Sequence, residues 1–139
     1  MTYEALHLSH PVDRPSIDVS TFAGDPRNLP RWADGLSSGI RQDADGRWVA
    51  DSPMGSVEVR FTGPVEHGVL DHDVVLPDGS VVHNPLRVLR NGDGSEVVFT
   101  LYRLPGTDES AFERDAATVR GDLARLCALL EGRAPGLED

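Results

Sequence analysis

The stretch that most constrains this chain is its last long run of periodic apolar residues, over 108–132. Phe112, Ala116, Val119, Leu123, Leu126 and Leu130 recur at alternating steps of four and three, which places them on one face of an α-helix. Asp108, Glu109 and Glu113 stand near its start, where negative charge suits the helix dipole. Gly132 and then Pro135 mark its end. At about 1.5 Å per residue this helix is roughly 35 Å long, enough to cross a small domain. A helix with one apolar face needs a surface to lie on. Gly121 falls off the apolar stripe and is expected to face water. Cys127, the single cysteine, falls near the stripe and is expected as a buried structural thiol, since a reactive one needs exposure and a cationic neighbour.

What precedes the helix reads mostly as strands. A first strand alternates over 4–10. Pro15 opens a short helix over 15–22. Asp25 and Pro26 then suit the cap and first position of a second short helix, from which Trp32 and Leu36 would pack inward. From about Ser38 the pattern changes to short strands parted by turn signals. Asp45-Gly46, Pro53-Met54-Gly55, Gly63-Pro64, Asp78-Gly79 and Asn91-Gly92-Asp93-Gly94 separate strands over 39–44, 47–51, 56–62, 70–76, 80–90 and 95–104. That makes one early strand and six in an antiparallel meander. The expected fold is a single α+β domain over 1–139, with its core at about 3–132 and a short frayed tail. Its curved seven-stranded antiparallel sheet would be covered on one face by the C-terminal helix.

This order of elements, the segment Asp25-Pro26-x-Asn28-x-Pro30-x-Trp32 and the amphipathic final helix together resemble the SRPBCC superfamily. These are START-like, helix-grip proteins. They include polyketide cyclases and dehydrases, aromatases, birch-allergen-like proteins and co-chaperone activators. The resemblance spans about 4–132. It implies a sheet wrapped around the long helix with a pocket between them, and it implies no single function.

Hairpin geometry carries one face from strand to strand. Val57, Val59 and Phe61 form the apolar set of their strand and are taken as inward. A turn at Pro53-Met54 pairs Val57 with Ala50 and Val59 with Trp48. A two-residue turn at Asp78-Gly79 would place Val74 opposite His83 and Leu70 opposite Arg87, bringing His72, His83 and Arg87 to the inner face. In the last strand either Val98, Thr100 and Tyr102 or Val97, Phe99 and Leu101 point inward, because a slip of one residue reverses the set. The expected ligand-contacting set is therefore Trp48, Val59, Phe61, His72, His83, Arg87 and Tyr102 from the sheet, with Val119, Leu123 and Leu126 from the helix. An apolar surface with a few polar groups is the makeup of a small-molecule site. His72 and His83 are the acid–base candidates, because histidine titrates near neutral pH.

Several chemistries are excluded or disfavoured. All thirteen basic residues are arginines, so neither a Schiff-base lysine nor a phosphate-binding P-loop exists. The arginine bias fits a high-GC bacterial genome. The formal net charge of −10 and the lack of a basic stripe argue against nucleic acid and anionic membranes. No transmembrane run or signal peptide is expected, and a cytoplasmic location follows as the default. Gly35-x-Ser37-x-Gly39 has the spacing of a nucleophile elbow, but a strand rather than a helix follows it. Asp43-Ala44-Asp45-Gly46 reads as a hairpin, because the acid a calcium loop needs would fall at Met54. Asp71, His72 and Asp73 alternate across a strand and cannot share one ion. No metal and no cofactor is expected. The leading expectation is binding of a small apolar or aromatic molecule. The alternatives are a cyclase or aromatase using pocket His, Arg or Tyr groups, and a co-chaperone-like interaction module. Either a monomer or a homodimer fits.

Overall fold

The computed structural model describes residues 1–132; Pro135 and the expected frayed tail lie outside the described residues. The chain runs β1 (Ala5–Val12), α1 (Ser16–Ala23), α2 (Leu29–Trp32), β2 (Ile40–Gln42), β3 (Trp48–Ser52), β4 (Gly55–Phe61), β5 (His72–Val75), β6 (Val81–Asn84), β7 (Leu86–Asn91), β8 (Gly94–Tyr102) and α3 (Glu109–Leu130). Single 3-10 turns lead into α2, follow it, and precede β5. This is the expected architecture: two short helices after the first strand, an antiparallel meander, and one long C-terminal helix.

The ends of the elements follow from local chemistry. Asp108 caps α3 by accepting a hydrogen bond from the Ala111 amide at 2.8 Å. Gly132 closes it with φ +76°, a left-handed conformation that glycine adopts without penalty. Asp25 caps the turn into α2 through the Arg27 amide at 3.0 Å, with its other oxygen on the Arg27 guanidinium at 2.8 Å. The apolar stripe of α3 is buried as its spacing requires: Phe112, Ala116, Leu123, Leu126 and Leu130 are all inside, with Cys127 fully enclosed. Gly121 faces open space. The helix packs on β1, β8 and α2.

The strands form two ladders, β1-β8-β7 and β2-β3-β4-β5-β6. The single run expected over 80–90 is divided at Pro85, which has no N–H to give to a ladder. The two ladders are joined beside that break. Leu70 N donates to Leu86 O at 2.8 Å and Val88 N to Gly68 O at 2.9 Å. Below them the Asp71 carboxylate accepts from Leu86 N at 3.0 Å, replacing a backbone acceptor with a side-chain one.

Register decides what the inner face contains. The β3–β4 pairing is Ala50↔Val57 and Trp48↔Val59, as the Pro53-Met54 turn demands. The β5–β6 pairing differs by one residue: Asp73 lies opposite His83 and Val74 opposite Val82. The loop holds three residues, Pro77, Asp78 and Gly79, because Leu76 N bonds Ser80 O at 2.8 Å. Gly79 at φ +88° makes that turn possible, and Asp78 Oδ1 fixes it by accepting from Ser80 N at 2.9 Å. The expected inward placement of His83 and Arg87 is therefore corrected: both lie on the outer face. In β8 the buried Val97 pairs with Val88, and Phe99 with Leu86 and Leu8. Val97, Phe99 and Leu101 thus point inward, and Tyr102, opposite Ala5, points outward.

Candidate functional site

The site begins where β4 and β5 pair. Phe61 lies opposite His72, with ring centroids 5.3 Å apart. The Phe99 ring lies 6.5 Å from the imidazole at an angle of 61°. His72 thus has two aromatic neighbours on the inner face, and three strands contribute the three rings.

His72 is 9% exposed, and its Nδ1 lies 3.0 Å from Leu70 O. A carbonyl can only accept, so Nδ1 carries the proton and Nε2 keeps its lone pair. Burial pushes the His72 pKa below its ordinary value, only partly offset by the Leu70 carbonyl and the nearby Asp71 charge. The ring is neutral at physiological pH. Nε2 has no hydrogen-bond partner among the described residues. Nε2 is thus the free acceptor of a buried ring set among apolar side chains.

Around this ring the inner face keeps accessible apolar surface. Trp48, Phe61, Val74, Val82, Phe99 and Leu101 are all only half-buried, although α3 covers the same sheet. Toward Leu70, Leu86 and Val97 the same face is fully buried. The sheet and the helix therefore close at one end and leave the other open. Trp48, Val59 and Phe61 also line a cleft of about 480 Å³ together with Gly24 and Pro26, after α1, and the charged Arg47, Glu58 and Arg60.

The expected residues divide on this geometry. Trp48, Phe61 and His72 share the inner face, and Val119 is half-buried on α3 and packs against the core. Val59, Leu123 and Leu126 are 1%, 2% and 0% exposed and belong to the packed core. Arg87, on the outer face, forms a two-point pair with Asp71, Nε–Oδ1 at 2.8 Å and Nη2–Oδ2 at 2.7 Å. This hydrogen bonding holds the Asp71 carboxyl below its ordinary pKa against the opposing effect of burial. His83 pairs through Nδ1 with Asp73 Oδ1 at 2.6 Å. His83 and Tyr102 come together in a separate groove, away from His72. Phe99, Leu101 and Val82 belong to the inner face but were not in the expected set. The signal for Val82 is the Pro77-Asp78-Gly79 loop, whose three residues shift the register; Phe99 and Leu101 belong to the second of the two sets open for the last strand, selected by the two-residue Gly92-Asp93 turn that leaves Asn91 opposite Gly94.

The other motifs resolve as structure. Asp43 Oδ1 accepts from the Asp45 and Arg47 amides, both at 2.9 Å, and closes a hairpin. The Asp34 amide is held by Asp122 Oδ1 at 3.1 Å, and the chain then enters β2 with no elbow helix. Among the described residues no group of three or more His, Cys, Asp or Glu side chains is placed to hold a metal ion. Nor is any helix among them long and apolar enough to cross a membrane.

Comparison with solved structures agrees with this arrangement. The protein XoxI from Bacillus cereus superposes with a TM-score of 0.71 over 91% of this chain and 95% of that one, at 13% identity. A START superfamily protein from Mycobacterium smegmatis gives 0.64 over 92% and 97%, at 14% identity. DynU16, from the dynemicin biosynthetic locus, gives 0.67 over 94% of this chain and 48% of that one, at 19% identity. The fold is the SRPBCC-like helix-grip fold. No family model matches the chain, and no curated protein matches it by sequence. In the helix-grip fold seen here the gripped element is α3, and the open end of the grip is the half-buried surface around His72.

Proposed function

We propose that this chain binds a small apolar or aromatic molecule on the inner face of the sheet, beneath α3. The observation that carries this reading is the half-buried apolar surface of Trp48, Phe61, Val74 and Phe99 around His72, beside the cleft that Trp48 and Phe61 line. A purely structural core would bury those rings completely. The Phe61 and Phe99 rings offer stacking and edge contacts to a planar ligand, and His72 Nε2 fixes its orientation by accepting one hydrogen bond from it. Indole is a suitable probe, because it is planar, apolar and carries a single N–H donor. Titrated into the 15N-labelled protein, indole should shift the amides of Phe61, His72, Phe99 and Val119 in a saturable way. Native mass spectrometry of the protein as purified should also reveal a bound small molecule. Indole shifts that are absent, or spread evenly over the surface, would remove the reading.

A second reading makes the same site a cyclase- or aromatase-type centre. It is favoured by the neutral state of His72, which suits a general base. Nε2 would take a proton from an activated carbon or hydroxyl of a bound polyketide chain, and no covalent intermediate would form. Turnover of an aromatic polyketide mimic that is equal in wild type and His72→Gln would sink this version while leaving ligand binding intact.

A further inference from the structure

The division of the sheet at Pro85 leaves a fork on its outer face. Beyond the bond from Thr100 N to Pro85 O at 3.0 Å, β6 and β8 part. β6 pairs with β5, and the last residues of β8 pair with β1 as Ala5↔Tyr102 and His7↔Thr100. Within the described ladders the facing edges of 81–84 and 100–102 have no strand between them. A groove of about 580 Å³ lies in the fork, lined by Tyr3, Val81, Val82, His83, Tyr102 and Leu104. That volume is in the range of small-molecule sites, about 300–1,000 Å³.

Three features of the groove point to a ligand. Tyr3 is 46% exposed and Val81 51% exposed, so large apolar surface is gathered where a packed sheet would have covered it. Tyr3 and Tyr102 stand edge to face with centroids 6.4 Å apart, an open corner into which a third ring fits. His83 is held through Nδ1 by Asp73 Oδ1 at 2.6 Å. A carboxylate can only accept this bond, so Nδ1 carries a proton and Nε2 is the nitrogen left to a ligand. A carboxylate that fixes the tautomer and orientation of an imidazole is the arrangement by which a histidine is made to accept a proton or a hydrogen bond at its other nitrogen.

We propose that the fork between β6 and β8 is a second binding site, selective for a neutral hydroxylated aromatic molecule. The ligand ring packs against Tyr102, Tyr3 and Val81, and its hydroxyl, which can donate or accept, hydrogen-bonds His83 Nε2. A neutral phenol fits better than an aromatic carboxylate because the chain carries a formal charge of −10, which repels an anion. The site uses different rings and a different histidine from the inner face around His72, and Val82 is the one residue of that face that also lines it.

The test titrates 2-naphthol into the 15N-labelled chain, with 2-methoxynaphthalene as the matched compound that lacks the donor. Saturable shifts are expected at the Val81, His83, Tyr102 and Leu104 amides. His83→Gln, a change at an exposed position that leaves the core intact, should weaken 2-naphthol binding about tenfold, the value of one hydrogen bond. The methoxy compound should bind wild type about tenfold more weakly and be indifferent to His83→Gln. Shifts confined to Phe61, Phe99 and Val119 would overturn this proposal while leaving the inner-face site standing, and shifts confined to the fork would do the reverse. Binding at the fork that ignores both the lost hydroxyl and His83→Gln would also overturn the proposal.

Discussion

The seam between the two ladders should be the point where this sheet is most easily weakened, and Asp71 is the residue to change. Its side chain is 13% exposed, against 49% for its partner Arg87. It accepts from Leu86 N at 3.0 Å and twice from Arg87 at 2.8 and 2.7 Å. Asp71→Ala removes all three bonds. Arg87 can turn to water, so losing the half-exposed pair costs about 1 kcal/mol. Leu86 is 0% exposed, and its amide cannot turn; a buried donor left unpaired costs about 1–3 kcal/mol. Asp71→Ala should therefore cost roughly 3 kcal/mol, a fall in Tm on the order of 10 °C for a chain of this size. Arg87→Ala leaves the Leu86 bond in place, and Asp71→Asn keeps an oxygen for it, so each should cost only about 1 kcal/mol. Urea unfolding measures the three values, and amide exchange locates them: Leu70 and Val88, which bond across the seam, should lose protection before β3 and β4 do. The sign with pH is also fixed. The Asp71 pKa is depressed in the folded state, so its contribution is present above the ordinary carboxylate value of 3.8 and is lost as pH falls through the folded pKa. The gap between Asp71→Ala and wild type should narrow in acid. If Asp71→Ala costs no more than Arg87→Ala, or if protection falls evenly over the sheet, the seam is not held in this way.

Two further perturbations test the local reasoning. The His72 pKa is lowered by burial, so the unfolded chain takes up a proton here before the folded one does. Stability should be flat above the ordinary histidine value of 6.5 and decline below it; His72→Gln should abolish that part of the decline in urea titrations run from pH 7 to pH 5, and an unchanged slope would count against the buried neutral ring. Gly121 faces open space inside α3, without positive φ, so Gly121→Ala should stabilise the protein by about 1 kcal/mol, and a lower Tm would show that the position has a neighbour the fold does not account for.

Much of this was legible in the residues. The apolar stripe of α3 at steps of four and three can only be buried one way. The Pro53-Met54 turn set the β3–β4 register correctly, because two residues with Gly55 at φ +109° close a tight hairpin and leave Ser52 opposite Gly55. The next hairpin misled, since Asp78-Gly79 also reads as a two-residue turn. Whether Pro77 belongs to the loop or to the strand depends on the bond from Leu76 N to Ser80 O. Asp78 favours the longer loop by capping the Ser80 amide, and the energy separating the two loops is spread over the packing of both strands. One residue of slip then exchanged His83 and Arg87 for Val82 and Leu86 on the inner face. The break at Pro85 follows from its missing N–H, but the Asp71 carboxylate that completes the ladder comes from fifteen residues away, and only the fold brings it there. His72 was placed correctly because the alternation of β5 itself, independent of the turn, puts it with Val74 and opposite the inward Phe61.

The central claim is that the half-buried face around His72 is a site for a planar apolar ligand. The most direct measurement is an isotope-filtered NOESY spectrum of the labelled protein with unlabelled indole. The account predicts contacts from indole ring protons to the rings of Phe61 and Phe99 and to the methyl groups of Val74 and Val119, together with a shift of His72 Nε2 on the 15N scale that keeps Nδ1 protonated. Contacts confined to the outer face, or none to any of these four side chains at saturating indole, would contradict it.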